Sequence, residues 1–439
     1  MNRLIKMVSS DSFAPIVAKG VGTIVAFALS IVLARTLGIN TFGQYTLVIS
    51  VLTVLSIPVQ AGLPTLGVRE TSKARAKSDN ATIRTFIKWS NKLIGWYSIV
   101  IIIFCVLFFL IAKQWSKQDF AYNLLVGAGS IFIVSKMLRN NAVMRGLGRF
   151  AAGTASDILI RPSVHLCLFI VVASLIDINA SGSVVIYTVS ALIAYAASSI
   201  MMRSSIKGFA AKYQHRPEVW IKALWLLTIV GGGQIFFGNI ETLMLGLLTD
   251  SVQVGAYRVA FQISMLIILI LTVINQVLQP KFSALYVSGD IAGLEDLALK
   301  SSWEMFLAVL LPGAVLLAFA GPFLEFVFGN DYRIAAVALQ ILVIGQCINV
   351  FFGSVGTLLN MTGFEKESSK GMAIAIIINI ALNLILIPEF GLNGAALSSM
   401  LSIFFWNLML RHYVKTRVGI ESSGAIYKIT VFINKKAGA

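Results

Sequence analysis

Charge is scarce in this sequence. Only 12% of its 439 residues are Asp, Glu, Lys or Arg, against 57% apolar, a balance far from that of a water-soluble fold. Cysteine and histidine are equally sparse, at three each. Cys105, Cys167 and Cys347 stand singly in apolar stretches, without the paired spacing of a disulfide framework or a metal site. His215 and His412 lie in polar segments with no carboxylate constellation around them, and no outer loop carries a nucleophile with its base. Nothing in the chain asks for a metal or a cofactor. Acidic residues are also in short supply, 19 against 35 basic, for a net charge of +16.

What the sequence has in abundance is long charge-free runs. Leu93 to Ala112, Val184 to Met202, Val259 to Pro280 and Ala335 to Gly363 each reach the roughly twenty residues that cross a bilayer core. The pattern predicts an all-α polytopic membrane protein with about twelve spans, near 14–34, 43–63, 93–112, 121–138, 154–176, 183–202, 223–248, 256–278, 303–324, 335–359, 371–388 and 393–411. A cleaved leader is set aside because Lys19 interrupts the first apolar run, which continues to Ala34 and is long enough to stay as a span.

With both termini cytoplasmic, most Lys and Arg fall in inner segments. The densest holds Arg69, Lys73, Arg75, Lys77, Arg84 and Lys88, and the middle one Arg203, Lys207, Lys212, Arg216 and Lys222. The positive balance then faces anionic membrane lipids, and no nucleic acid is expected as a partner.

The chain repeats itself loosely. Phe42-Gly43-Gln44-Tyr45 is echoed by Val254-Gly255-Ala256-Tyr257, and Arg145-Gly146-Leu147-Gly148-Arg149-Phe150 by Asn360-Met361-Thr362-Gly363-Phe364-Glu365, at nearly the same interval. Two matches in register favour a duplication of six helices. An even number of crossings relates the bundles by a pseudo-two-fold axis along the membrane normal, with a central cleft. The expected parts are an N-terminal bundle at 1–202, a cytoplasmic linker at 203–222, a C-terminal bundle at 223–411 and a cytoplasmic tail at 412–439.

The string Ile31-Val32-Leu33-Ala34-Arg35-Thr36-Leu37-Gly38, followed by Phe42-Gly43-Gln44-Tyr45, resembles the opening of Wzx-type polysaccharide flippases. Leu358 to Glu365 and Ile387-Pro388-Glu389-Phe390-Gly391-Leu392-Asn393-Gly394-Ala395-Ala396 resemble the pattern of that family around its last two helices. The motifs bracket nearly the whole chain and are specific to the multidrug, oligosaccharidyl-lipid and polysaccharide exporter superfamily. The resemblance implies a flippase for undecaprenyl-diphosphate-linked oligosaccharide, as in O-antigen or capsule assembly. It also implies a bacterial inner membrane location and partners such as a glycan polymerase and a chain-length regulator.

Asp157, Arg161 and His165 recur every four residues and so share one face of the fifth span. Charged groups at that depth face a bundle interior or a watery cavity. Arg161 could clamp a diphosphate, since a guanidinium fork matches phosphate oxygens, or simply pair with Asp157 to hold helices together. Lys19, Arg35 and Arg258 are further candidate substrate contacts, with interfacial anchoring as the alternative. Glu241, in the outer half of the seventh span with no nearby cation in sequence, is a candidate for proton or ion coupling, as is Asp157. Gly231, Gly232 and Gly233 fit either a hinge or close helix packing.

Two other functions fit less well. A multidrug or cation antiporter of the same superfamily would want a more acidic interior than Asp157 and Glu241 provide. An integral-membrane glycan polymerase or ligase would need loops that carry chemistry, and the chain is therefore expected not to be an enzyme.

Overall fold

The computed structural model describes residues 10–112, 118–207, 209 and 217–424. The middle of the expected linker (208 and 210–216) and the end of the expected tail (425–439) lie outside them.

The described residues are helical throughout, with no strand. In chain order the principal elements are α1 (Ser10–Leu55), α2 (Gly62–Ala76), α3 (Asn80–Ala112), α4 (Gln118–Gly146), α5 (Arg161–Ala173), α6 (Ala180–Ser205), α7 (Pro217–Phe237), α8 (Ile240–Leu248), α9 (Ser251–Val287), α10 (Ile291–Phe328), α11 (Ala336–Phe352), α12 (Val355–Met361) and α13 (Glu365–Tyr413). Among the described residues, ten helical stretches are long and apolar enough to cross a membrane.

Two of these stretches are hairpins, which brings the crossings to twelve. In α1 the break is at Gly38 (φ 71°, ψ 165°), a conformation essentially reserved for glycine. A straight helix would hold Gly22 and Tyr45 about 35 Å apart. Yet Gly22 abuts Ile158 and the Tyr45 ring lies 6.4 Å from the His165 ring, on a segment where those two partners are only about 10 Å apart. The chain therefore turns back at Gly38. In α13 the break is at Gly391 (φ 55°, ψ −132°), and Asn379 Nδ2 donates to Ser402 Oγ at 3.1 Å across the turn. Gln253 Oε1 accepts the Leu392 N–H at 2.9 Å, capping the returning arm.

The expected duplication has a local signature in the backbone. Gly148 (φ 80°) and Gly363 (φ 87°) both end helices in the left-handed region. In each case the next residue donates five positions back, Arg149 to the Met144 carbonyl at 2.9 Å and Phe364 to the Leu359 carbonyl at 2.8 Å. Both are Schellman caps, at the positions the sequence repeat pairs.

The chain parts into two compact units between Asn239 and Ile240. The division follows α7 instead of falling in the expected linker 203–222, because α7 packs on the segment around α2. Gly62 lies under Thr228 and the Leu224 carbonyl, and a side chain at Gly231 or Gly232 would meet the Ala61 carbonyl or Ile57. Small residues here let backbones approach closely where lipid supplies no hydrophobic drive between helices.

In the first unit α4 is the central post, packed by α2, α3 and α6. In the second unit α11 lies among α9, α10 and α13. A core of Leu278, Phe282, Leu294, Leu358 and Leu410 closes one end of that unit, joined by Val414, Val418 and Ile420 from the segment after α13. The residues following 413, the start of the expected cytoplasmic tail at 412–439, are part of the packed unit as far as Gly424. Arg411 grips Glu421 with two bonds of 2.9 and 2.5 Å, Glu295 accepts the Glu421 N–H at 2.9 Å, and Ser423 Oγ donates to the Phe351 carbonyl at 2.6 Å.

Candidate functional site

The fifth span owes its shape to Pro162. Lacking an N–H, Pro162 cannot bond the Ile158 carbonyl, and its ring crowds that oxygen. The preceding turn, Ser156–Ile160, accordingly opens into a π turn closed by the Arg161 N–H to the Ser156 carbonyl. Such bulges in membrane helices frequently mark functional positions. The Ile158 carbonyl turns toward α1 at Gly22, where any Cβ would stand 2.4 Å from the oxygen. Glycine is therefore the residue that permits this crossing.

The bulge carries the charged pair. Arg161 Nη2 reaches Asp157 Oδ1 at 3.0 Å, and both side chains are partly exposed, at 27% and 34%. The guanidinium also lies 6.0 Å from the centre of the Tyr187 ring on α6. His165, one turn further, is 3% exposed and is held edge-on by Tyr45 at 6.4 Å and Tyr187 at 5.9 Å. Its Nε2 is buried without a hydrogen-bond partner among the described residues. The face predicted from the i, i+4 spacing is real, and α1 and α6 complete it with two tyrosines.

A second cation, absent from the predicted set, approaches the same carboxylate. Arg145, at the end of α4, is within electrostatic reach of Asp157, and its Nε is buried without a partner among the described residues. Gly153 makes room for it, since a Cβ there would stand 2.6 Å from Arg145 Cγ. One carboxylate thus faces two guanidiniums, and the cluster keeps a positive surplus. Arg139, also missed, is 2% exposed on α4 and donates to the Ile87 carbonyl and to Asn91 Oδ1, both at 3.0 Å. It fastens α3 to α4. Both arginines lie beyond 138, where the predicted fourth span ends, and only the packing of α4 in the centre of its unit reveals their burial.

Lys19 is partly exposed on α1, one turn before Gly22 and hence on the turn next to the bulge. Arg35 is exposed just before the Gly38 turn, at the opposite end of the first arm of α1, so the structure does not bring it to the Arg161 cluster. Arg258 belongs to the second unit, on α9, with its guanidinium 5.7 Å from the Phe261 ring centre. Gly231, Gly232 and Gly233 are all helical within α7, the first two in close packing, and the helix breaks at Gly238 and Asn239 instead.

Glu241 opens α8 in the second unit and is 2% exposed. Asn379 Nδ2 donates to its Oε1 at 3.0 Å, and Asn383 Nδ2 donates to Asn379 Oδ1 at 2.8 Å. The Asn383 Oδ1 ends this chain without a partner among the described residues. The two asparagines recur four apart in an otherwise apolar arm of α13, a signal readable in the sequence had polar amides been searched along with charges.

A family model described as polysaccharide biosynthesis protein matches residues 9–286. The chain belongs to that family. A second model, MatE, matches residues 228–385 of this family member. Over 192 residues the chain is 26% identical to the probable low-salt glycan biosynthesis flippase Agl15 of Haloferax volcanii, an alignment that takes in 43% of this chain and 40% of the relative. It is 25% identical over 193 residues to the probable flippase AglR of the same organism, again 43% and 40%. The chain thus spans about 40% of the length of the curated relatives it matches.

Among solved structures, the lipid II flippase MurJ in an inward closed conformation superposes with a TM-score of 0.73 at 12% identity, over 91% of this chain and 87% of that one. An inward-facing multidrug resistance MATE family transporter of the MOP superfamily gives 0.72 at 13%, over 92% and 98%. These two likenesses establish the shared all-helical fold.

Proposed function

We propose that this protein is a flippase for lipid-linked oligosaccharide, carrying an anionic glycolipid head across the membrane by alternating access and catalysing no covalent chemistry. The observation that carries the reading is the ion pair of Arg161 with the single carboxylate of Asp157, with the Arg145 guanidinium within electrostatic reach of the same carboxylate. A surplus cation inside a membrane bundle is costly without a counter-charge, and a diphosphate supplies one that a guanidinium fork binds with two parallel hydrogen bonds. Family membership and the two flippase relatives, one of them named for glycan biosynthesis, support the same class of substrate.

In finer detail, the resemblance to Wzx-type proteins favours an undecaprenyl-diphosphate carrier and an O-antigen, lipopolysaccharide or capsule unit, in a bacterial inner membrane alongside a glycan polymerase and chain-length regulator. Basic residues gather where Arg75 meets Gly148 and Arg149 bonds Ser205, which favours that end as cytoplasmic. Glu241, buried and bonded to Asn379, is the residue best suited to couple transport to a proton or cation gradient.

The test is flipping of fluorescent undecaprenyl-diphosphate oligosaccharide in proteoliposomes, comparing wild type with Arg161→Ala and with Leu107→Ala, an exposed apolar position on α3. Loss confined to Arg161→Ala is the expected result; equal transport by all three would refute the assignment. A cation antiporter is the second reading, favoured by the buried carboxylate of Glu241 and the MatE match over 228–385. Expression that confers resistance to cationic drugs, without glycolipid flipping, would establish it.

A further inference from the structure

At the end of α4 the first unit gathers three guanidiniums. Gly146 makes the gathering possible, since a Cβ there would stand 2.7 Å from Thr71 Cβ and 2.9 Å from the Val68 carbonyl of α2. Arg75 follows Thr71 by one turn of α2, and Gly148 follows Gly146 by two residues. The Arg75 guanidinium consequently rests on the bare backbone of Gly148, where a side chain would displace it. Arg149, next in the chain, donates from Nη1 to Ser205 Oγ of α6 at 3.1 Å. Arg145 precedes Gly146 and lays its stem against Gly153.

Helix capping does not account for these arginines. The left-handed cap at Gly363 matches the one at Gly148, yet the sequence repeat sets Asn360 opposite Arg145 and Phe364 opposite Arg149. A Cβ at Gly363 would meet nothing within 4 Å, so no guanidinium rests there. The same turn thus forms without arginine. Ion pairing does not account for them either. Arg69, Arg333, Arg411 and Arg417 each pair with a Glu, whereas Arg75 and Arg149 have no carboxylate partner among the described residues. Arg145 has Asp157 within electrostatic reach, a group that Arg161 already holds.

Ordered guanidinium forks left over from both roles suit an anion with several oxygens, as phosphate groups have. Their placement leads inward. Gly153, Asp157 and Arg161 recur every four residues, so the Arg145 stem and Arg161 flank Asp157 along about 12 Å of helix. The series runs from the exposed rim of Arg75 and Arg149, through half-buried Arg145, to the Arg161–Asp157 pair.

We propose that Arg75, Arg145 and Arg149 form a receiving site for the diphosphate of the lipid-linked substrate, one step ahead of Arg161. This rests on the flippase reading. Arg145 belongs to both stations and hands the anion from the rim to the bulge.

Binding to the full chain in phosphatidylcholine nanodiscs tests it first, with undecaprenyl diphosphate as the probe. The double variant Arg75→Gln, Arg149→Gln should bind about tenfold more weakly than wild type, and the deficit should shrink as salt is raised. Arg84→Gln, which removes an exposed cation of α3, should bind as wild type does. Arg75→Lys with Arg149→Lys, which keeps the charge and loses the fork, should fall between. Thermal unfolding of the Gln variant should match wild type, since the cap at Gly363 stands without arginine. Earlier unfolding with binding unchanged would mark the arginines as structural and overturn the proposal.

Competition separates the sources of the anion. Inorganic pyrophosphate should displace the probe, and excess phosphatidylglycerol in the disc should not. Equal displacement by phosphatidylglycerol would identify a seat for bulk anionic lipid and overturn the proposal.

Flipping in proteoliposomes then fixes the place of the site in the cycle. The Gln variant should raise the half-saturating substrate concentration by the same factor and leave the maximal rate unchanged, whereas Arg161→Ala lowers the maximal rate. Binding by the Gln variant equal to wild type would overturn the receiving site while Arg161-dependent flipping stood. Absence of flipping by wild type on any glycan, with binding still dependent on Arg75 and Arg149, would overturn the flippase reading instead.

Discussion

At the scale of single residues, the account turns on whether Arg161 holds a helix or a substrate. A guanidinium that served only to pair Asp157 would brace one turn of the fifth span, and removing either partner would loosen that turn. If it binds phosphate, the two substitutions have opposite effects. Arg161→Ala should weaken diphosphate binding by roughly ten- to a hundredfold, the ~1.5–3 kcal/mol of charge-assisted hydrogen bonds. Asp157→Asn should tighten it, because Arg161 and Arg145 then face the ligand uncompensated. Titration of the purified protein with undecaprenyl diphosphate distinguishes the two, and weakening by both variants would mark the pair as structural.

Gly22 offers a second test. Alanine there places a Cβ 2.4 Å from the Ile158 carbonyl, whereas a Cβ at Gly20 meets nothing within 4 Å. Gly22→Ala should cost about 1–3 kcal/mol of stability in detergent by thermal unfolding and Gly20→Ala far less.

Glu421 gives a pH dependence. Burial alone would raise its carboxyl, but the Arg411 guanidinium and the N–H groups of Ser423 and Ser422 outweigh it and hold the group below the usual carboxylate range. A depressed folded value contributes stability above the unfolded value of about 4.3 that disappears as pH falls through the lower, folded one. Glu421→Gln should therefore destabilise the protein at neutral pH, and the gap from wild type should close in acid. A gap independent of pH would contradict the assignment.

At the scale of elements, glycine and proline decide where helices bend, and both can be read from sequence. The spans predicted to end at 34 and start at 43, and to end at 388 and start at 393, bracket the turns found at Gly38 and Gly391. Gly391→Ala would be strained in that conformation and would place a Cβ 2.2 Å from the Gln253 amide oxygen. It should lower the melting temperature more than Gly356→Ala, whose Cβ would meet only Leu410, at an ordinary 3.6 Å. Pro162 was legible as an interruption, yet not the π turn it provokes, because widening depends on the room that Gly22 leaves on another helix.

The same limit hid Arg139 and Arg145. Periodicity tells which residues share a face, but not which face of α4 is enclosed when several helices surround it. The Glu241–Asn379–Asn383 chain was half visible for a similar reason, its acid conspicuous and its amides on a helix more than a hundred residues away.

At the scale of the whole molecule, composition identified a membrane protein and the charge-free runs counted its crossings, since lipid demands about twenty apolar residues per pass. The motifs near each end of the chain also carried the family. The boundary between units was harder, because α7 has the composition of any span and its allegiance depends on the glycine contacts at Gly62, Gly231 and Gly232. Substrate class lies at this scale too. An anionic head crossing outward is driven by an inside-negative potential, worth about 2.3 kcal/mol per charge at 100 mV.

The most direct measurement is therefore flipping by the wild-type protein of one glycan on two carriers of equal length, undecaprenyl diphosphate and a neutral undecaprenyl glycoside, with and without an imposed inside-negative potential. A binding cluster built on surplus guanidinium predicts rapid transport of the diphosphate, accelerated by the potential, and little transport of the neutral lipid. Equal rates for the two lipids, unresponsive to potential, would contradict the central claim that Arg161 and Arg145 receive an anionic head group.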